Sequence, residues 1–374
     1  MSPPRHLYIH VPFCARRCSY CDFSIAVRPV VPVDEYVNAL TTELELQFRD
    51  AAPWEVDTIY FGGGTPSRLG GPGIARLLDA LRRRVSQAPG AEVTLEANPE
   101  DVTPAAAAEW RAAGVTRVSL GSQSFDDKVL TWMHRTHDAS AIPKAVDTLR
   151  RAGIQELSLD LIFALPGELN RDWADDLRQA VELEPDHLSL YGLTVEPATP
   201  LFRWRARGLL REAPDQRYEA EFLLAHQALE SHGFEHYEVS NYARPGRQAR
   251  HNSAYWSGAA YAGLGPSAHG FDGRTRRWNL AAYVEWLRTV GKGRDPLGGS
   301  EVLTAENRAD EAVYLGLRTA RGLPLNDGER LKLQAWLDQG WAVATGDGRL
   351  CLTALGWLRL DALAEYLTVV RSRS

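Results

Sequence analysis

Three of the chain's four cysteines, Cys14, Cys18 and Cys21, fall within eight positions of the stretch "HVPFCARRCSYCDF" at residues 10–23. Three thiolates on a short loop after a strand can hold three corners of a cubane iron–sulfur cluster, whereas a closed cluster site uses four cysteines. One iron is then left open, and an open coordination position is what separates a metal site that does chemistry from one that only braces a fold. The alternative is a single zinc, with His10 or His6 completing a Cys3His set, although the Cys-x3-Cys-x2-Cys order lacks the paired spacing of such sites. The fourth cysteine, Cys351, lies in an expected hairpin and reads as a small buried hydrophobe.

Loops of this kind need a scaffold that aims them. From Leu7 to about Thr194 the short runs "LYIHVPF", "TIYFGGG", "EVTLEANP", "RVSLGSQS", "LSLDLIFALP" and "HLSLYGLT" alternate with amphipathic stretches such as "VDEYVNALTTELELQF", "GIARLLDALRRRV" and "AIPKAVDTLRRAG". The alternation predicts an α/β fold with a parallel sheet. Six strand–helix units fall short of the eight of a closed barrel, so the expectation is a partial (β/α)6, TIM-like barrel. Glu96, Gln123 and Asp160 are placed at or just after strand ends, the edge where parallel folds put their chemistry.

Residues 1–233 form this core. Residues 234–300, rich in Gly, Tyr, Trp and Arg, read as an irregular region and not as another strand–helix unit. Residues 301–374 return to helical patterns and include "WAVATGDGRLCLT", a hairpin turning at Gly346-Asp347-Gly348, which predicts a C-terminal winged-helix-like module.

The 374 residues carry a net charge of −6, which argues against bulk nucleic-acid binding and leaves local basic patches open. No apolar run approaches the roughly 18 residues of a membrane helix, and "MSPPRHLYIH" has no secretory pattern. The expectation is a cytoplasmic protein, where close cysteines signal a metal or redox chemistry and not disulfides.

The cysteine motif, with the aromatic Tyr20 inside it, resembles the signature of the radical S-adenosylmethionine superfamily. "FGGGTPS" at Phe61–Ser67 is similar to that superfamily's glycine motif, where backbone groups, here at Gly63, Gly64 and Thr65, approach the methionine end of the cofactor. The resemblance implies a [4Fe-4S] cluster on Cys14, Cys18 and Cys21 and S-adenosylmethionine at the open iron. It also implies that the reduced cluster splits the sulfonium to a 5′-deoxyadenosyl radical, chemistry that belongs to the cofactor. Such a ligand needs complementary groups: Arg135 suits its carboxylate, Glu96 its ammonium or hydroxyls, Gln123 and Asp160 its ribose, and the resemblance adds Tyr8 and Tyr20 to the cofactor-binding residues.

Tyr8, "EANPE", "SLGSQSFDDKVL", "MHRTH" and "LDLIFALPGE" narrow the resemblance to the group that contains oxygen-independent coproporphyrinogen III oxidase and its heme-chaperone relatives. In the oxidase a further cysteine follows the motif two residues on and a long N-terminal extension precedes it. Here that position is Phe23, and thirteen residues precede Cys14. "HNSAYW", His251–Trp256, resembles the chaperones' His-Asn-x-x-Tyr-Trp motif. Imidazole is a common heme ligand, Tyr255 and Trp256 could stack on a macrocycle, and Arg247 and Arg250 could meet its propionates. Taken alone, the same residues would make an aromatic packing cluster around one hydrogen-bonded histidine with solvated arginines. His269 is a second candidate ligand.

The resemblance therefore implies a heme chaperone that binds heme, the cluster and S-adenosylmethionine and delivers heme to acceptor hemoproteins such as respiratory enzymes, including acceptors at the membrane surface, with an electron donor as a further partner. Oxidative decarboxylation of coproporphyrinogen III is the alternative function. No catalytic residue is assigned.

Overall fold

The computed structural model describes residues 3–326 and 328–372. At its centre is a nine-stranded sheet. β1 (His6–Val11), β2 (Trp54–Gly63), β3 (Val85–Ala97), β4 (Arg117–Gln123), β5 (Glu156–Phe163) and β6 (His187–Gly192) lie side by side in chain order, each parallel to the next. They are the six strands expected from the sequence. The sheet is open, as six units require.

Sequence alternation decides which face meets which layer. Leu7, Ile9 and Val11, Ile59 and Phe61, Val93 and Leu95, and Leu157, Leu159 and Leu161 join the helices in one hydrophobic core, each fully buried aliphatic side chain contributing about 1.5–3 kcal/mol relative to exposure. The residues between them are polar or aromatic and meet across the other face, as Tyr8 does with Tyr60 and Ser119 with Asp160. Strands of a parallel sheet covered on both sides are usually apolar throughout. Here one face instead lines a polar lumen.

The intervening helices follow from amphipathic spacing and local caps. Ala141–Arg151 buries Ile142, Ala145, Val146 and Leu149, a single stripe. Pro104–Ala113 starts on Thr103, whose side chain accepts from the Ala106 amide, and stops at Gly114 in the left-handed region. One boundary differs from expectation. The helix read as "GIARLLDALRRRV" ends at Leu81, because buried Val85 pairs with Trp54 and opens β3.

The 234–300 region is less irregular than the sequence suggests. β8 (Asn241–Ala243) pairs antiparallel with β6 and β7 (Glu235–Glu238) pairs antiparallel with β8, extending one edge of the sheet, and β9 (Ala262–Leu264) extends the other parallel to β1. A three-stranded antiparallel sheet, His269–Phe271, Thr275–Asn279 and Leu297–Val302, packs outside. The remaining chain contributes helix Ala305–Arg318, two short helices broken at Leu333, the expected hairpin Ala342–Ala344 with Arg349–Leu352, and helix Leu360–Ser372. Cys351 is buried in that hairpin. One core runs from Leu7 to Leu367, so packing crosses both expected domain boundaries. Among the described residues no helix is long and apolar enough to cross a membrane.

Candidate functional site

The C-terminal ends of the parallel strands surround a cavity of about 310 Å³. Its wall gathers Cys14, Cys18, Tyr20, Cys21, Gly63, Gly64, Thr65, Glu96, Gln123, Arg135 and Asp160, eleven residues picked from sequence positions more than a hundred apart. Phe23 stands on the same wall and is 58% exposed.

The cysteine loop is pinned at several points. Ala26 and Arg28 donate backbone hydrogen bonds to Pro12 and Cys14, Ser19 donates to the Met133 carbonyl, and the Ser19 carbonyl accepts from Leu201. The Thr65 hydroxyl lies 3.5 Å from the Cys14 sulfur. Gly64 has to be glycine: a Cβ there would sit 2.7 Å from the Pro12 backbone and 3.0 Å from the Cys14 sulfur. Gly63 adopts φ +114° with the His10 ring against it, a second position that only glycine fills without strain.

Glu96 accepts from the Tyr60 hydroxyl at 2.7 Å and from the Gly63 amide at 3.1 Å. Burial, with Asp160 nearby, pushes its carboxyl up to about 7. Asp160 lies inside β5, not at its end, and accepts from Ser119 at 3.0 and 3.1 Å; burial raises its carboxyl too. Both acids therefore suit a cationic or hydroxyl-bearing ligand that would restore their charge. Gln123 is held at φ 67°, a left-handed conformation that costs a non-glycine residue about 1–3 kcal/mol, and its side-chain oxygen is buried without a partner. Arg135 donates to Asn98 Oδ1 at 2.6 Å and to the Gly121 carbonyl at 2.8 Å, with a further nitrogen 3.6 Å from the Cys18 sulfur. Its Nε is buried and unpartnered.

These features fit a cluster and a zwitterionic nucleoside ligand. Three thiols share one wall, two acids and an orphaned amide oxygen face an ammonium or ribose, and an orphaned guanidinium nitrogen is available to a carboxylate. A single zinc fits less well. His10 is instead bonded to Tyr8 at 3.1 Å and to the Ser24 carbonyl at 3.0 Å, and His6 lines a different cavity.

Two expected cofactor residues lie elsewhere. Tyr8 is off the cavity wall, stacked on Tyr60 with ring centroids 6.0 Å apart, so it braces the Glu96 partner from below. His251 is 1% exposed in the lumen floor, its two ring nitrogens engaged by Thr58 Oγ1 at 2.7 Å and the Tyr255 hydroxyl at 2.8 Å. Burial lowers it to about 3. In this arrangement neither nitrogen is available to iron, which departs from the ligand expectation and matches the packing alternative. Arg247 is paired with Glu156 at 3.1 Å, and exposed His269 stacks on Trp278. Residues that the sequence reading passed over include Asn98, which holds Arg135, Tyr60, which holds Glu96, and Tyr191 on the cavity wall. Asn98 and Tyr60 lie within the motifs "EANPE" and "TIYFGGG", and that is the signal that could have found them.

A lumen that ends in three thiols, a glycine turn and a zwitterion-matched wall defines a radical S-adenosylmethionine protein, and residues 8–180 match the model of the Radical SAM superfamily. The fold as a whole resembles the solved structure of coproporphyrinogen III oxidase (HemN) from Escherichia coli, with a TM-score of 0.81, 23% identity and coverage of 97% of this chain and 90% of that one. In sequence the chain is 41% identical to heme chaperone HemW of Mycobacterium tuberculosis H37Rv over 97% of this chain and 95% of that protein. It is 42% identical to HemW of Escherichia coli K12 over 97% and 98%, respectively. It belongs to the HemW family. The family's resident cofactors are a [4Fe-4S] cluster and S-adenosylmethionine.

Proposed function

We propose that this protein carries heme and hands it to acceptor hemoproteins, such as respiratory enzymes, in the cytoplasm or at the membrane surface. The cluster and S-adenosylmethionine serve the transfer or its regulation, and an electron donor reduces the cluster. The observation that carries the reading is kinship along the whole chain with proteins named as heme chaperones, whereas the likeness to the oxidase is one of fold. Phe23 on the cavity rim, in place of the oxidase's additional cysteine, supports it.

Cys14, Cys18 and Cys21 would hold the cluster. Arg135, Glu96, Gln123 and Asp160 would orient S-adenosylmethionine, whose cleavage by the reduced cluster supplies radical chemistry when both are bound. Residues 301–374 would act as a winged-helix-like appendage that closes the end of the barrel away from the cluster.

The test is anaerobic incubation of reconstituted protein with reductant, S-adenosylmethionine and coproporphyrinogen III, alongside a heme titration. Stable heme binding without protoporphyrinogen is the expected result, and protoporphyrinogen formation would establish the oxidase instead.

A further inference from the structure

A second, larger cavity lies at the other end of the barrel from the cysteine loop. It measures about 1090 Å³ and is bounded by the start of β1 and β2, helix Arg250–Trp256, helix Ala305–Arg318 and the C-terminal hairpin. Helix Arg250–Trp256 thus has two faces. His251 and Tyr255 turn into the lumen, while Arg250, Ser253, Ala254 and Trp256 border this second cavity.

The wall combines apolar surface, from Phe271, Leu315, Leu323 and Trp256, whose ring carries the Arg318 guanidinium on one face, with four arginines and two carboxylates. Both carboxylates are already paired, Asp57 with Arg5 and Glu311 with Arg276. Arg250 and Arg349 are bonded to backbone carbonyls, of Gly90 and of Arg321 and Gly322. The Arg308 and Arg321 guanidiniums have no partner among the described residues. The cavity is therefore a broad cleft with apolar patches and an uncompensated positive rim, which suits a large flat ligand bearing two carboxylates.

One imidazole on this wall can also bind iron. His6 has its Nδ1 3.0 Å from Thr58 Oγ1, and its Nε2 has no hydrogen-bond partner among the described residues. The same Thr58 oxygen reaches His251 Nδ1, and His251 Nε2 reaches Tyr255. A hydroxyl has a single proton to give. If His6 Nδ1–H donates to Thr58, the Thr58 hydroxyl donates to His251 and His251 Nε2–H to Tyr255, one continuous direction that leaves the lone pair of His6 on Nε2. Half-burial holds His6 below the usual imidazole range, so the ring is neutral at pH 7 as a ligand must be. Fixing the second ring nitrogen of a ligating histidine is a common way to set its tautomer and aim.

We propose that this second cavity is the heme site, with His6 Nε2 as an axial ligand, Arg308 and Arg321 on the propionates, and His251 as a positioning residue acting through Thr58. The inference rests on the heme-carrying reading and specifies where and how that reading is realised.

Ferric heme is titrated into the full chain as wild type, His6→Ala, Thr58→Val and the double variant Arg308→Ala/Arg321→Ala, with cluster content at the far end of the barrel reporting that each variant is folded. His6→Ala is expected to shift the Soret band and the electron paramagnetic resonance signature, and added imidazole to restore them. Thr58→Val should retain heme with an altered signature. The double variant should bind heme roughly tenfold more weakly for each lost guanidinium and bind heme dimethyl ester as the wild type does. An unchanged spectrum in folded His6→Ala, or unchanged heme affinity in the double variant, would overturn the assignment while leaving a heme carrier with its site elsewhere. A wild type that binds no heme would remove the functional reading itself.

Discussion

The guanidinium of Arg135 lies 3.6 Å from the sulfur of Cys18 while Asn98 and the Gly121 carbonyl fix its other end. One residue thereby links the cluster loop to the wall that would receive the ligand's carboxylate. Arg135→Ala should weaken S-adenosylmethionine binding by about 2–5 kcal/mol, the range for removing one partner of a desolvated charged pair. Calorimetric titration of the reconstituted protein reads this, and Asn98→Ala should weaken binding by less, because it removes only the brace. Undiminished affinity in Arg135→Ala would show that the carboxylate sits elsewhere.

The close approach at Gly64 leads to a second expectation. Adding one methyl in Gly64→Ala forces Pro12 and Cys14 away from β2, so iron and sulfide content after reconstitution should fall. Gly291→Ala, at a site where a Cβ meets nothing within 4 Å, should stay within about 0.5 kcal/mol of wild-type stability and load normally.

Glu43 gives the fold a pH dependence. It is fully buried and accepts from the Gly265 amide at 2.8 Å, the Trp286 indole at 2.9 Å and Asn279, tying helix Val33–Gln47 to the 234–300 region. Burial pushes it from 4.5 to about 7. The folded state therefore binds a proton that the unfolded state has lost between these values, so the Glu43 contribution is complete below pH 4.5 and declines as pH rises to about 7. The shift corresponds to about 3 kcal/mol. Urea denaturation at pH 5 and pH 7.5 should show a smaller difference in Glu43→Gln than in wild type, with the remaining slope in that window owed partly to Glu96.

Arg171 anchors the far side of the barrel. Its side chain is 0% exposed and pairs with Asp176 at 3.2 Å and Glu221 at 3.1 Å, acids that in turn accept from the backbone amides of Phe125 and Ala164. Arg171→Ala leaves Asp176 buried without a cation and Glu221 with Arg217 alone, at 2.8 Å, and should cost about 3–5 kcal/mol, read as a lower denaturation midpoint with an unchanged slope.

How far the sequence revealed this arrangement depends on the length of the signal. Strands of six or more residues with alternating chemistry, such as β1 and β5, announce both their existence and their inward faces. β7, β8 and β9 span only three or four residues each and gain their pairing from the edges of a sheet already built, so no local pattern marks them. The cavity residues were legible because each sits near the C-terminal end of a recognisable strand or in a spaced motif. Tyr8 and His251 fall outside the cavity for a related reason. Alternation shows that Tyr8 points into the lumen but not at which level, and the motif around His251 does not show which partners its helix gives it; both lie below the cavity, where Tyr60, Thr58 and Tyr255 occupy them.

Heme delivery is the central claim, and direct transfer tests it most closely. Heme-loaded, cluster-reconstituted protein would be mixed anaerobically with an apo-acceptor such as a respiratory heme subunit, with and without reductant and S-adenosylmethionine, while a heme scavenger in solution traps whatever dissociates freely. The account predicts that the acceptor gains heme faster than the scavenger does, and that reductant and S-adenosylmethionine change that rate. Heme passing only to the scavenger, at a rate indifferent to acceptor, reductant and S-adenosylmethionine, would contradict it.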